Sequence, residues 1–318
     1  MTGQRTFADA ILSNKRRTTR REQFLTEMDQ VIPWATVEAL VEALVAPHYP
    51  KAGRGRRPLP MATMLRIYFL QQWFNLSDPQ AEDLLYDSES MRRFAGIDLL
   101  HDTVPDETTI CKFRHLLKAH RLTARMFDAV KALLEERKLL RKAGTMVDAT
   151  IIGAPSSTKN ASQTRDPEMR QTKKGNPWYF GMKVHVGTDR RGVIHTITTT
   201  DAATADITQL PHLLHGQETT LHGDKAYDKA EDKLQWERSG GRYLVNKSGK
   251  RTDDWDAINR PRSRIRARVE HPFHTMKRLW SFTKVRYRGL AQNTVRVFAL
   301  GALANLYRLR HRLRPQGP

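Results

Sequence analysis

The feature that most constrains this chain is a change of period at Gly144. Upstream of it apolar residues recur at helical spacing, and downstream they alternate. Met61, Met64, Leu65, Tyr68, Phe69 and Trp73 mark the buried face of one helix. Ser77 and Gln80 then form a capping box around Pro79 at the start of the next. Asp106 is placed to cap a helix that buries Ile110, Phe113 and Leu117, and Met126, Val130, Leu133 and Leu134 continue the period over residues 122–140. Beyond Gly144, GTMVDATII reads as a strand, and WYFGMKVHVGTD sets Phe180, Met182, Val184 and Val186 against Gly181, Lys183, His185 and Gly187. A turn at residues 189–192 leads into VIHTITTT, a β-branched third strand. A helical stretch (ITQLPHLLHG), a strand (TTLHGD), a helix (KAEDKLQWERS) and a strand (RYLVN) follow. Last come a basic segment and a helix striped by Val295, Phe298, Ala299, Ala302, Leu303 and Leu306. The expected fold is α/β, an α+β mixed sheet flanked by helices over residues 143–318, preceded by an all-helical domain over residues 1–142. Residues 154–176 are polar and read as a long mobile loop between the first two strands, a length usually reserved for function.

Charge narrows the partners. The net charge is +20 with a pI near 10.3, and over residues 241–318 Lys and Arg outnumber Asp and Glu by 19 to 4. That excess calls for a polyanion. No apolar run approaches the roughly 20 residues of a membrane span, and no helix with a lipid-facing side stands out, so the expected partner is nucleic acid and not a membrane. Cys111 is the only cysteine, which excludes an internal disulfide and a zinc cluster. The first residues lack the apolar stretch of a signal peptide, and the expected location is the cytoplasm. The capped helices are compatible with a helix-turn-helix DNA reader and equally with a bundle used for dimerisation. The loop KAGRGRRP, with Arg54, Arg56 and Arg57 among flexible glycines, tilts the reading toward phosphate contact, and Lys112 on the Asp106-capped helix is a further DNA-binding candidate.

Three acids are placed for chemistry. Asp148 sits inside an apolar strand, where a charge costs several kcal/mol unless something such as a metal compensates it. Asp224 ends a short strand beside Gly223, which lets backbone or ligand approach closely. Glu270 is the only acid after Asp256, set among Arg262, Arg264, Arg266, Arg268, Lys277 and Arg278. Its bland reading is an ion pair with Arg266 at i,i+4. Phosphodiester cleavage and rejoining need an activated oxygen, a stabilised leaving oxygen and neutralised charge at phosphorus. Two Mg²⁺ ions roughly 3.5–4 Å apart, held by carboxylates, supply all three.

The order Asp148, Asp224, Glu270 resembles the catalytic triad of the DDE transposases, most closely the IS-five group of bacterial insertion sequences. The resemblance runs through EQFLTEMDQVIPW, AGRGRRPLPMATMLRIYFLQQWFNLSD, PDETTICKFRHLL, VDATIIGAPSSTKN, RDPEMRQTKKGNPWYFGMKVHVG, HGDKAY, RVEHPF and KVRYRGLAQNT. It implies an RNase H-like catalytic domain in which the three acids hold two Mg²⁺ or Mn²⁺ ions. It also implies binding of terminal inverted repeats and target DNA as double strands, with a homodimer as the expected assembly on DNA. The group's Arg before the Glu and Lys after it are matched by Arg266 and Lys277, which become DNA-binding candidates. Two departures stand out: Ser263 occupies the place of a Tyr, and Ala226 replaces a Gly in the run after Asp224. Only 46 positions separate Asp224 from Glu270, room for one helix and one strand but not for a large inserted domain. Pro272 predicts a kink or a helix start beside Glu270. Lys183 and His185 share a strand face and read first as structural. His222 reads as a hydrogen-bonding neighbour of Asp224. Trp178 and Tyr179 read first as core, with base stacking as the alternative. The rival readings are a metal-dependent nuclease that cuts without joining and a DNA-binding regulator that has lost catalysis.

Overall fold

The structure, a computed structural model, describes residues 17–50, 58–159, 163–247 and 253–314. Its first part is helical: α1 (Arg20–Val31), α2 (Trp34–Val45), α3 (Met61–Phe74), α4 (Asp78–Asp87), α5 (Glu89–Ala95), α6 (Glu107–Ala119) and α7 (Leu122–Glu136). Local chemistry starts these helices where it should. The Ser77 hydroxyl accepts from the Gln80 amide while the Gln80 side chain accepts from the Ser77 amide, closing the box. The Asp106 carboxylate accepts from the Thr109 amide at 2.6 Å, and Thr19 caps α1 through the Glu22 amide.

The second part is built on β1 (Gly144–Gly153), β2 (Arg170–Lys173), β3 (Trp178–Thr188) and β4 (Ile194–Asp201). After them come a short helix α8 (Leu210–Leu213), β5 (Thr220–His222), α9 (Ala230–Arg238), β6 (Arg242–Tyr243), α10 (Asp253–Arg266), α11 (Glu270–His274) and α12 (Leu290–Leu313). β1, β3 and β4 form an antiparallel meander, and β5 and β6 add on the far side of β1, parallel to it. The resulting order β4-β3-β1-β5-β6 is the RNase H-like arrangement, a mixed sheet with helical crossovers between its parallel strands. β2 was not foreseen. It lies within the expected loop, pairs with residues 178–181 of β3, and is RQTK, a polar run with no alternation to betray a strand.

Alternation along β1 and β3 divides the apolar residues between the two faces of the sheet. Met146, Ile152, Met182, Val184 and Val186 join a large core shared with the helical part. Val147 and Leu221 join a smaller one with Leu210, Leu213, Tyr227, Tyr243 and Val245. The large core is closed by α12. The sequence suggested a single stripe on that helix and a single face on α3. Both are instead buried nearly all round: α3 from Thr63 to Trp73 except for the half-buried Arg66, and α12 from Val297 through Asn305 and Leu306 except for the half-buried Phe298. The cause is position. α12 lies between β4 on one side and α7, α1 and α3 on the other. Each fully buried Leu, Phe or Met there contributes roughly 1.5–3 kcal/mol. Asn305 fastens α12 to the sheet, accepting from the Ile194 amide and donating to the Ile194 carbonyl, both at 2.7 Å. A second fastening is Asn75, left-handed at φ 52° after α3. Its carbonyl and side chain accept from Arg286, its side chain also accepts from Arg296 at 2.7 Å, and it donates to the Ser281 carbonyl.

Candidate active site

β1 carries Asp148 outward on the face that meets α10 and α11, opposite Val186 of β3. Its side chain is 17% exposed and its own Oδ1 accepts from the Ala149 amide at 2.9 Å. Burial pushes the Asp148 carboxyl from 3.8 up to about 6; Arg266 and the Ala149 amide pull it down, and Asp224 and Glu270 push it further up. Asp224 follows β5, where the strand gives way to a tight 3₁₀ turn over Lys225–Tyr227, and its Oδ1 accepts from the Ala226 amide at 2.9 Å. Gly223 is closely packed beside it: an added Cβ would lie 3.2 Å from both Tyr227 and Val147.

Glu270 opens α11 directly after a 3₁₀ turn, Ala267–Val269, that ends the run from α10. The helix start expected from Pro272 is what forms. Pro272 cannot donate to the Arg268 carbonyl, and that oxygen instead faces Gly192, where a Cβ would sit only 2.7 Å away. Gly192 has φ +75°, in the β3–β4 turn that Asp189 organises through the Arg191 and Val193 amides. Beyond α11 the helix widens to a π turn, Thr275–Leu279, a device common at functional sites. That turn carries Lys277, whose Nζ donates to Thr150 Oγ1 at 3.0 Å and to the Ile151 carbonyl at 3.1 Å. Burial holds its pKa below the usual value, with Lys174 and Arg278 adding repulsion.

Arg266 ties this arrangement together. Its Nη1 donates to Asp148 Oδ2 at 3.2 Å and its Nη2 to Glu270 Oε1 at 3.1 Å. The pairing with Glu270 at i,i+4 was legible in the sequence, while the pairing with Asp148, 118 positions away, was not. The three acids are hard oxygen donors of the kind Mg²⁺ and Mn²⁺ prefer, and Asp148 is a buried carboxylate in need of positive charge. Among the described residues no three His, Cys, Asp or Glu side chains are grouped to hold a metal ion, and the Arg266 guanidinium bridges Asp148 and Glu270. The donor chemistry fits divalent cations, in a site closed by an arginine.

Other candidates lie as follows. Lys183 is an ion-pair partner of Asp206 at 2.8 Å, and His185 is buried against Thr200. His222 is buried with no hydrogen-bond partner on either ring nitrogen among the described residues, so it does not hydrogen-bond Asp224 as expected; burial lowers its pKa to about 4. Ser263 accepts from Asn246 at 2.8 Å, a small polar contact where the resembled group has a ring. Lys112 is exposed on α6, beside a cleft that reaches Pro58. Arg54, Arg56 and Arg57 lie outside the described residues. Trp178 and Tyr179 are exposed, against the core reading, at the start of β3 where it pairs only with β2.

Asp148 thus lies on the central strand of the mixed sheet, Asp224 after its parallel neighbour and Glu270 on a helix packed beside them. Residues 140–306 match the family described as Transposase DDE domain, and residues 13–116 match Transposase domain (DUF772). The chain belongs to the DDE transposases, DNA-cutting and DNA-joining enzymes that as a family use divalent metal ions. A solved structure, "Crystal structure of the Mos1 Strand Transfer Complex", aligns over 93% of this chain and 96% of its own at 12% identity, with a TM-score of 0.27. No helix among the described residues is long and apolar enough to cross a membrane.

Proposed function

We propose that this chain is the transposase of a bacterial insertion sequence of the IS-five group, acting in the cytoplasm at the nucleoid. It cleaves the ends of its element and joins the 3′ ends to target DNA. The observation that carries this reading is the Asp148–Arg266–Glu270 bridge, with Asp224 close enough to disfavour the charge on Asp148. Asp148, Asp224 and Glu270 would hold two Mg²⁺ or Mn²⁺ ions. Bound there, such ions supply an activated attacking oxygen and neutralise charge at phosphorus. Arg266 orients Asp148 and Glu270 toward each other. Lys277, pinned over Thr150 and Ile151, presents its ammonium to a backbone phosphate as a point charge. The helical part, residues 1–142, with Lys112 and the Arg54, Arg56 and Arg57 loop, binds the terminal inverted repeats. Residues 143–318 form the catalytic domain, and two chains hold the two ends as a homodimer.

The test is a strand-transfer assay with Mg²⁺ on duplexes bearing the inverted repeats. Joined product is expected from the wild type. Variants with Ala at Asp148, Asp224 or Glu270 should bind these ends without cutting them. Full activity in any of the three removes that acid from the triad. Cleavage without joining leaves a nuclease, and binding without cleavage leaves a regulator.

A further inference from the structure

The β2–β3 ribbon has no role in the reading above. β2 is exposed along most of its length, and the four-residue turn 174–177 is closed by the Lys174 amide on the Pro177 carbonyl. At its tip Trp178 is 66% exposed and Tyr179 is 39% exposed. Single exposed apolar residues need no explanation, but here the ribbon exposes a ring on each of its faces, Trp178 on one and Tyr179 on the other.

The charge around these rings is one-sided. Lys173 is the cross-strand partner of Trp178, and Lys174 follows it in the turn. Among the described residues neither lysine side chain has an ion pair. The nearby acids are engaged elsewhere. Asp166 accepts from the Gly289 amide and Glu168 from the Leu290 amide, both at 2.6 Å, at the start of α12. The ribbon therefore offers aromatic rings and positive charge together, which is complementary to DNA.

Its position is set by the register. Val186 faces Asp148, and Trp178 lies eight residues along the same strand, an even number, so both side chains emerge on one face of the sheet. At about 3.4 Å per residue the two are no more than about 27 Å apart, or about eight base pairs of duplex. Lys174 is near enough to Lys277 to disfavour its charge. A two-stranded ribbon is also of a width that the major groove admits.

We propose that the β2–β3 ribbon is an arm that enters a groove of the duplex being cut, with Trp178 packed on a base and Lys173 and Lys174 on flanking phosphates. The contact falls within about eight base pairs of the bond held at Asp148. This rests on the transposase reading, and it adds a contact separate from the acids and from Lys277.

The experiment uses duplexes taken from the DNA that flanks the chain's own gene, with 2-aminopurine at successive positions from the cleavage site. Wild type, W178F and W178A are compared in binding. The wild type should change the fluorescence at one position within the first eight or so base pairs. W178A should abolish that change and weaken binding by roughly five- to a hundredfold, while W178F keeps most of both. Replacing Lys173 and Lys174 together by Ala should lower the salt dependence of binding by about two phosphate contacts. A W178A protein that binds with wild-type affinity and an unchanged fluorescence profile overturns the inference and leaves the transposase reading intact. A wild type that binds none of these duplexes overturns both.

Discussion

Replacing Asp148 by Asn should end catalysis and at the same time make the metal-free protein more stable. Asp148 is charged where burial and two neighbouring acids disfavour charge, and the single guanidinium of Arg266 compensates only in part. Its carboxyl titrates near 6 instead of 3.8, a shift that corresponds to ~3 kcal/mol. Over the interval between these values the folded chain holds a proton that the unfolded chain has released. Metal-free stability therefore falls as pH rises from about 4 to about 6, and the full penalty is present above that. Asn keeps an oxygen that accepts from Arg266 and carries no charge. For a chain of 318 residues the gain corresponds to ~4 °C in Tm. Calorimetry in the presence of a chelator, on wild type and D148N, should show the variant higher near pH 7.5 and the two nearly equal at about pH 4. A D148N protein that is no more stable near neutrality, or whose advantage is the same at both pH values, refutes the reasoning.

Arg266→Gln withdraws the counter-charge from both Asp148 and Glu270, and should cost about 2–4 kcal/mol in urea unfolding of the metal-free chain; an unchanged midpoint would mean the bridge contributes nothing. Asn75→Ala should cost about 2–4 kcal/mol, from the left-handed backbone and the lost acceptor for Arg286 and Arg296, and Asn75→Gly should restore the backbone part alone. If Ala and Gly variants unfold at the same denaturant concentration, the backbone argument fails. Lys277→Met should leave Tm within about 2 °C and reduce the salt slope of DNA binding by about one phosphate contact, measured by titration at several salt concentrations.

What could be read from the sequence was whatever is local or periodic. The switch at Gly144 separated helices from strands because side chains repeat differently in each, and Asp148 stood out as a charge within an apolar strand. Ser77 and Asp106 announced helix starts because capping needs only neighbours three residues apart. Contacts distant in sequence were out of reach. Nothing near Arg266 in the chain indicates that Asp148 lies beside it, and nothing near Asn75 indicates Arg286 or Arg296. β2 escaped because a polar ribbon exposed to solvent has no inward side to pattern. Trp178 is exposed for a related reason: at the start of β3 it pairs only with the exposed β2, and no local pattern marks that.

The burial of α12 has a consequence for how the chain reaches its folded state in the cell. The helices α1, α3 and α7 leave the ribosome first, yet the surface they pack on is a helix translated more than 150 residues after α7. Until that helix emerges, Phe127, with no Phe298 to meet its ring, and the apolar sides of α1 and α3 face water. The helical front part thus completes its core only when α12 has been made, and a ribosome that stops early releases a fragment with no finished core. The fold thus couples the packing of the helical part to the synthesis of α12.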